Sequence, residues 1–162
     1  MSQIEFEVAG RLEAEPARVW SRLIDSESVA EWLDDVTSVA AADGEGAVAR
    51  LSGEDGRSWV DVRVTGLEPR RHLGLHLNRP SALLREACVN VELSPDASGT
   101  AYRLGVVCRP HLLARPLSPL LRLRAEVATQ RAVRGFKALV DADTRERHAR
   151  ASAEGGQDLL GK

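Results

Sequence analysis

The sequence has no long apolar segment and nothing that resembles a secretion signal. No stretch of its 162 residues approaches the roughly 18 consecutive apolar residues of a membrane-spanning helix. The first ten residues, MSQIEFEVAG, lack the basic and apolar regions of a signal peptide. We therefore expect a cytoplasmic protein without a membrane span. A hydrophobic content of 43% beside 28% charged residues is typical of a globular chain with one core.

The motifs of the common catalytic and metal-binding sites are also missing. The chain contains no nucleophile elbow, phosphate-binding loop or dinucleotide-binding fingerprint. His72 and His76 are candidate metal ligands, but on a strand they would lie roughly 13 Å apart. No spacing of Cys, Asp or Glu completes a zinc or calcium site. We expect neither a metal ion nor a cofactor.

Aromatic residues make up only 4% of the chain, and none accompanies its main basic stripe. That stripe consists of Arg124, Arg131, Arg134 and Lys137 on one side of the last predicted helix. Single-stranded nucleic acid is usually held by stacked aromatic side chains beside basic ones. We therefore interpret the stripe as a solvated helix face and expect no nucleic-acid partner.

Cysteine is scarce as well, since Cys88 and Cys108 are the only two. In the strands predicted around them, alternation places Cys88 on the outward face and Cys108 on the inward face. Thiols on opposite faces of a sheet cannot easily form a disulfide. We therefore predict two free thiols, as is usual in the cytoplasm.

The elements that are present follow a simple order. Ile4, Phe6 and Val8 alternate with polar residues and predict a strand, after which Glu15-Pro16 opens a short helix. Ser28 with Glu31 has the spacing of a capping box for a second helix. Six further strands are predicted at about 37–42, 47–52, 58–65, 71–78, 87–93 and 101–109.

A long amphipathic helix ends this series. Ser118 is a suitable N-cap and Pro119 suits the first helical position. Steps of about 100° per residue give the helix an apolar face whose middle contains small residues: Leu121, Ala125, Ala128, Ala132, Gly135, Phe136 and Leu139. The periodicity fades from about Arg145. We predict a domain over residues 1–144 and a flexible C-terminal tail over residues 145–162.

The sequence resembles the START-like, or SRPBCC, helix-grip superfamily. The resemblance rests on this order of elements, on EPARVWSRLID after the first strand, on Trp32-Leu33 in the second helix and on the long final helix. The polyketide cyclase/dehydrase-like and carbon-monoxide-dehydrogenase-subunit-G-like branches are the most similar, over about residues 2–141. The resemblance implies an α+β fold in which a curved antiparallel sheet of about seven strands surrounds the C-terminal helix, with two short helices after strand one.

The same resemblance implies an apolar ligand between sheet and helix. The candidate lining combines the inward sets of the strands with residues of the helices: Phe6, Val8, Trp32, Leu33, Val60, Val62, Leu73, Leu75, Val89, Val91, Tyr102, Leu104, Val106, Ala128, Ala132 and Phe136. A pocket of this composition would bind a small hydrophobic or amphipathic molecule.

Two other functions remain open at this point. Members of the superfamily include enzymes, carriers, sensors and adaptors. A polyketide cyclase or dehydratase would need an acid or base, for which Asp34, Asp35, Asp61 and Tyr102 are the candidates. An adaptor would instead have a filled core and would act through its surface. Nothing in the sequence indicates an oligomeric state.

Overall fold

The computed structural model describes residues 3–33, 38–40, 48–52 and 59–157. Their elements are, in chain order, β1 (Ile4–Leu12), α1 (Pro16–Ile24), α2 (Ser26–Trp32), β2 (Ser38–Ala40), β3 (Val48–Ser52), β4 (Trp59–Glu68), β5 (His72–Ser81), β6 (Leu84–Asp96), β7 (Gly99–Pro110), a 3₁₀ helix (Leu112–Leu117) and α3 (Ser118–Gln157). The predicted α+β helix-grip fold is confirmed, with two short helices after the first strand and a long helix at the end.

The strands form a seven-stranded antiparallel sheet in the order β1-β7-β6-β5-β4-β3-β2. The first strand therefore pairs with the last, and Phe6 lies opposite Val106. Val106 in turn pairs with Val89, and Val89 with Leu75. Since directly paired residues point to the same side of a sheet, this register gives the sheet one continuous apolar face. We call it the inner face.

Two separate clusters of buried residues join the inner face to α3. The first, which we call the Val140 cluster, contains Leu12, Ala14, Val19, Trp20, Leu73, Val91, Leu93 and Val140. The second, the Leu121 cluster, contains Ile4, Ala87, Val106, Cys108, Ala114 and Leu121. Leu121 and Val140 are 19 residues apart on α3, which separates them by roughly 28 Å at the usual rise of about 1.5 Å per residue.

Polar contacts attach both short helices to α3. The guanidinium of Arg22 in α1 donates two hydrogen bonds to the carboxylate of Asp143 in α3, at 2.7 and 2.9 Å. It also donates one to the hydroxyl of Ser28 in α2, at 2.9 Å. Ser28 is completely buried and donates to Asp25 at 2.8 Å. The Asp143 carboxylate raises the pKa of Arg22, so this cation stays charged and holds the three helices together.

Two sequence-based expectations about helix ends need correction. The N-cap of α2 is Asp25, which accepts a hydrogen bond from the backbone N–H of Glu27, while Ser28 lies inside the helix and forms no capping box. The last helix does not lose its structure at Arg145 but continues to Gln157. Arg150 pairs with Glu146 one turn earlier. Such a pair stabilises the helix in this last segment, which has no apolar face. Mobility of residues 145–162 stays a prediction.

Candidate functional site

The strand register collects the predicted lining of the sheet on its inner face. The eleven strand residues involved share this face: Phe6, Val8, Val60, Val62, Leu73, Leu75, Val89, Val91, Tyr102, Leu104 and Val106. Val62, Leu73, Val91 and Val106 are buried. The other seven are only half-buried. Their common face is therefore a finding, whereas their contact with a ligand stays a prediction.

The half-buried residues occupy the middle of the sheet–helix interface. Phe6, Leu75, Val89 and Leu104 pack against one or both core clusters from the space between them. Val89 and Leu104 touch both clusters, so they mark the centre of this region. Val8 is half-buried too; it lies two residues after Phe6 in β1 and opposite Leu104. The interface is thus closed at both ends and incompletely covered between them.

The helix residues of the predicted lining are placed less uniformly. Phe136 packs against the Val140 cluster and Ala132 is half-buried. Ala128 was predicted to face inward, but it is exposed. A helix turns by about 100° per residue, so Ala128 lies at the margin of the apolar face, where the sheet does not cover it. Gly135 meets α2 rather than the sheet, since a Cβ added there would lie 2.6 Å from the carbonyl oxygen of Trp32.

Trp32, the last residue of α2, lies against α3, and Leu33 follows it in the chain. Both are half-buried. The ring of Trp32 meets that of Phe136 edge to face, with ring centroids 5.3 Å apart. The indole N–H of Trp32 is buried, and no atom of the described residues accepts a hydrogen bond from it. A buried donor without an acceptor is rare in proteins because it forfeits about 1–3 kcal/mol of solvation. This N–H is therefore a feature that a bound molecule could satisfy.

Tyr102 is the second polar group of the lining. Its ring leans over β1, because a Cβ added to Gly10 would collide with the phenol oxygen. Glycine at this position is what makes room for the tyrosine. Partial burial raises the pKa of the phenol above its usual value. Tyr102 is therefore a neutral hydrogen-bond donor at neutral pH.

The carboxylates proposed as acid or base groups do not join this site. Asp61 alternates with the inner residues of β4 and pairs with Arg50 at 3.1 Å, so it lies on the outer face of the sheet. Arg50 also covers the ring of Trp59 at 3.5 Å. Asp34 and Asp35 lie outside the described residues. Alternation along the strand predicts that Asp61 points outward, and the structure agrees. The expectation that Asp61 could act as an acid or base in the apolar site was wrong.

The histidines and cysteines lie where alternation predicts them. His76 hydrogen-bonds to Glu86 at 3.0 Å, while the ring of His72 covers Gly66 on the neighbouring strand. Within the described part of the chain, no group of three or more His, Cys, Asp or Glu side chains is arranged to hold a metal ion. Cys88 and Cys108 are free, and Cys108 belongs to the buried Leu121 cluster. Burial raises the pKa of its thiol, which makes it a poor nucleophile.

An open groove of about 820 Å³ lies on the other side of the sheet. Most of its side chains, including Glu68, His72, Glu92 and Arg103, alternate with the inner residues and therefore belong to the outer face. The groove is open to solvent, and Tyr102 is the one residue of the predicted lining that it includes.

Sequence reasoning missed two classes of residue near the site. The predicted lining left out Ile4, Ala87 and Cys108 of the Leu121 cluster, although they share the inward parity of their strands and alternation had placed Cys108 inward. The close approach of Gly135 to Trp32 had no such signal, because no local pattern relates two helices that are about 100 residues apart in the chain.

Comparison of the coordinates with solved structures finds the same fold in several proteins. Protein MLL2253 from Mesorhizobium loti has a TM-score of 0.71 and 20% identity, over 85% of this chain and 97% of that one. Ara h 8.0201 has a TM-score of 0.73 and 15% identity, over 87% and 99% of the two chains. The Zhui aromatase/cyclase from Streptomyces has a TM-score of 0.73 and 13% identity, over 86% and 94%. Identities this low establish the fold alone.

The amino-acid sequence establishes the family. No curated protein matches it, and none of the helices within the described ranges is long and apolar enough to cross a membrane. Residues 3–141, however, match the family model described as polyketide cyclase/dehydrase and lipid transport. The match spans both short helices, the whole sheet and the part of α3 that packs on it, and it agrees with the resemblance seen in the sequence. The chain therefore belongs to the polyketide cyclase/dehydrase and lipid transport family, within the SRPBCC superfamily.

Proposed function

We propose that the chain binds or carries a small hydrophobic or amphipathic molecule between the inner face of the sheet and α3. One observation carries the proposal: the apolar middle of this interface is only partly buried, although both of its ends are closed by buried clusters. Protein interiors normally pack as densely as organic crystals. An apolar band that is incompletely covered in this position is what a site for an apolar ligand requires.

The lining indicates the chemistry of the ligand. It contains no charged side chain, and its polar atoms are the indole N–H of Trp32 and the phenol of Tyr102. A molecule that covers the apolar band would gain about 25 cal/mol for each Å² removed from water. The buried indole N–H favours a ligand with a carbonyl or carboxylate oxygen that could accept its hydrogen bond. The ligand class is therefore a mainly apolar molecule with at least one acceptor.

The test uses two alanines of α3 that differ in burial. Ala132 is half-buried and faces the site, whereas Ala128, one turn earlier, is exposed. In ligand-stripped protein, Ala132→Phe should fill the site and weaken uptake of a fluorescent apolar probe by about tenfold or more, which equals about 1.4 kcal/mol. Ala128→Phe adds the same ring outside the site and should leave uptake nearly unchanged.

The stability of the same variants distinguishes an open site from a filled one. In an open site the ring of Ala132→Phe enters existing space, so the free energy of unfolding should hold or rise. A filled core would be overpacked and would lose about 1–3 kcal/mol. Such a loss, in a wild-type protein that takes up no probe, would reject the proposal in favour of an adaptor that acts through its surface.

A cyclase or dehydratase is the second candidate, and the Tyr102 phenol favours it. The phenol belongs to the inner face, where it could donate its proton to a bound substrate, although its raised pKa makes it a weaker acid than an exposed tyrosine. If Tyr102 only orients a ligand, Tyr102→Phe should weaken binding by about 0.5–1.5 kcal/mol. If it is a general acid, turnover of a polyketide-like substrate should instead fall about a hundredfold or more with binding retained.

A further inference from the structure

The 3₁₀ helix and the first half of α3 carry large apolar side chains on their outer surface. Leu113 is 94% exposed and Leu112 is 70% exposed. Leu117, Leu120, Leu123 and Val127 are each between 44% and 57% exposed. Leu83 is exposed too, and its carbonyl accepts a hydrogen bond from the backbone N–H of His111, so it adjoins the start of this region. We call these seven residues the leucine surface: Leu83, Leu112, Leu113, Leu117, Leu120, Leu123 and Val127.

This surface is distinct from the site between sheet and helix. With about 100° per residue, Leu120, Leu123 and Val127 fall within about 60° of one another. Their mean direction is roughly opposite to that of Ala132 and Phe136, which face the sheet. Exposed apolar side chains that form a continuous surface usually mark a contact with a partner. None of the residues that the structure describes covers these side chains.

The charges around the leucine surface restrict that partner. Residues 109–137 contain seven bases and one acid, a net charge of +6. Two of these bases are paired, Arg122 with Glu126 and Arg109 with Glu86 of β6. Arg115 and Arg124 take part in no ion pair with any residue that the structure describes. A second copy of the chain bound through the same surface would bring two positively charged surfaces together, so electrostatics disfavour a symmetric dimer and favour an anionic partner.

The type of apolar residue in the leucine surface indicates whether its partner is a membrane or a protein. The leucine surface contains no aromatic residue, whereas the strong contacts of protein interfaces are mostly Trp, Tyr and Arg, with Leu under-represented. A side chain as exposed as that of Leu113 needs a complementary pocket on a protein, but it can enter a lipid layer without one. Leucines flanked by arginines are the composition of helices that lie in the interface of anionic membranes.

We infer that this protein docks on anionic membrane surfaces through the leucine surface and its neighbouring arginines. The leucines would enter the boundary between headgroups and acyl chains, while Arg115 and Arg124 would contact the anionic headgroups. The arrangement is one of reversible surface binding, without a helix that crosses the bilayer. It uses the side of α3 that faces away from the sheet, so it does not depend on a ligand between sheet and helix.

The experiment is sedimentation of the full chain with lipid vesicles. The wild type should bind vesicles that contain phosphatidylserine, bind pure phosphatidylcholine much less, and dissociate as salt is raised. Leu113→Ser with Leu120→Ser should reduce binding by about tenfold or more. Arg115→Gln with Arg124→Gln should reduce it by roughly fivefold for each charge. Ile24→Ser removes a comparably exposed side chain from α1 and should change nothing.

Several results would overturn the inference. Absence of binding to either kind of vesicle would do so. Binding that the Leu113→Ser with Leu120→Ser variant retains as fully as Ile24→Ser would also do so. A wild-type dimer in light scattering that Leu113→Ser with Leu120→Ser converts to monomer, without vesicle binding, would assign the surface to self-association. If the first leucine pair fails to fold by circular dichroism, Leu123→Ser with Val127→Ser makes the same test on the next turn of the helix.

Discussion

The two ends of the sheet–helix interface are built in different ways. At the Val140 end, α3 is held by a buried cluster and by the Arg22–Asp143 pair, which also connects it to Ser28 and α2. At the Leu121 end, a buried cluster is again present. There, however, the polar contacts of Glu86 with His76 and Arg109 join strands to one another rather than to the helix.

This difference explains how one helix can serve two roles. Its middle, from about residue 135 to residue 143, contacts α1, α2 and the sheet, so its apolar residues there are used in packing. Its first half contacts other elements on one side only, and no ion pair among the described residues attaches residues 119–135 to another element. The opposite side of that half remains available to a partner. Leucines on the side of α3 that faces the sheet, such as Leu121, are therefore buried, whereas leucines on the opposite side, such as Leu120, are exposed.

The largest expected effect comes from two adjacent leucines at this end. Leu121 is 6% exposed and Leu120 is 52% exposed. Leu121→Ala should lower the free energy of unfolding by about 2–5 kcal/mol, because it removes buried methyl groups and leaves a cavity. Leu120→Ala should change it by no more than about 0.5 kcal/mol. Urea unfolding measures both, and equal losses would show that the outer side of α3 is covered.

A smaller effect is expected in the middle of α3, at Gly135. Alanine normally stabilises a helix by about 1 kcal/mol relative to glycine. At Gly135, however, the added Cβ would lie 2.6 Å from the Trp32 carbonyl oxygen, so α2 and α3 would have to separate. We expect Gly135→Ala to lower stability by about 1–3 kcal/mol.

Gly155 provides the matched control for that substitution. It lies in the same helix, beyond the sheet, and a Cβ added there meets no atom within 4 Å. Gly155→Ala should therefore leave stability unchanged or raise it slightly by helix propensity. If Gly135→Ala raised stability as well, the close contact of α2 with α3 would be wrong, and the two parts of the helix would differ less than we infer.

The smallest effect concerns the polar contacts at the Leu121 end and depends on pH. Hydrogen bonds from His76 and Arg109 lower the pKa of Glu86. A carboxyl group whose pKa is lower in the folded state stabilises the fold above its unfolded pKa, and this stabilisation is lost as the pH falls through the folded value. Glu86 is near the surface, so the contribution should be below about 1 kcal/mol.

Glu86→Gln isolates this contribution. The difference in stability between wild type and variant should be present at neutral pH and should disappear in acid, where the wild-type carboxylate becomes protonated. Unfolding midpoints at several pH values measure it. A difference that grew as the pH fell would contradict the assigned hydrogen bonds.

Local patterns in the sequence determined most of the fold. Alternation in residues such as Phe6 and Val8 identified strands and inner face, and the same parity placed Cys88 and Cys108 on opposite sides of the sheet. Ser118 and Pro119 located the start of α3 correctly, although Ser118 has helical backbone angles and its hydroxyl donates to the carbonyl of Arg115. These features depend on neighbours within a few residues, which is the range over which periodicity and capping act.

Tertiary structure alone decided which part of each face is covered. Periodicity placed Leu121 on the apolar face of α3, but it cannot show that the inner face of the sheet is closed at two ends and only partly buried between them. The contact of Gly135 with Trp32, the buried indole N–H and the pairing of Asp61 with Arg50 likewise depend on segments distant in the chain. Burial is a property of how elements are placed against one another, and that placement is set by long-range packing that no local pattern contains.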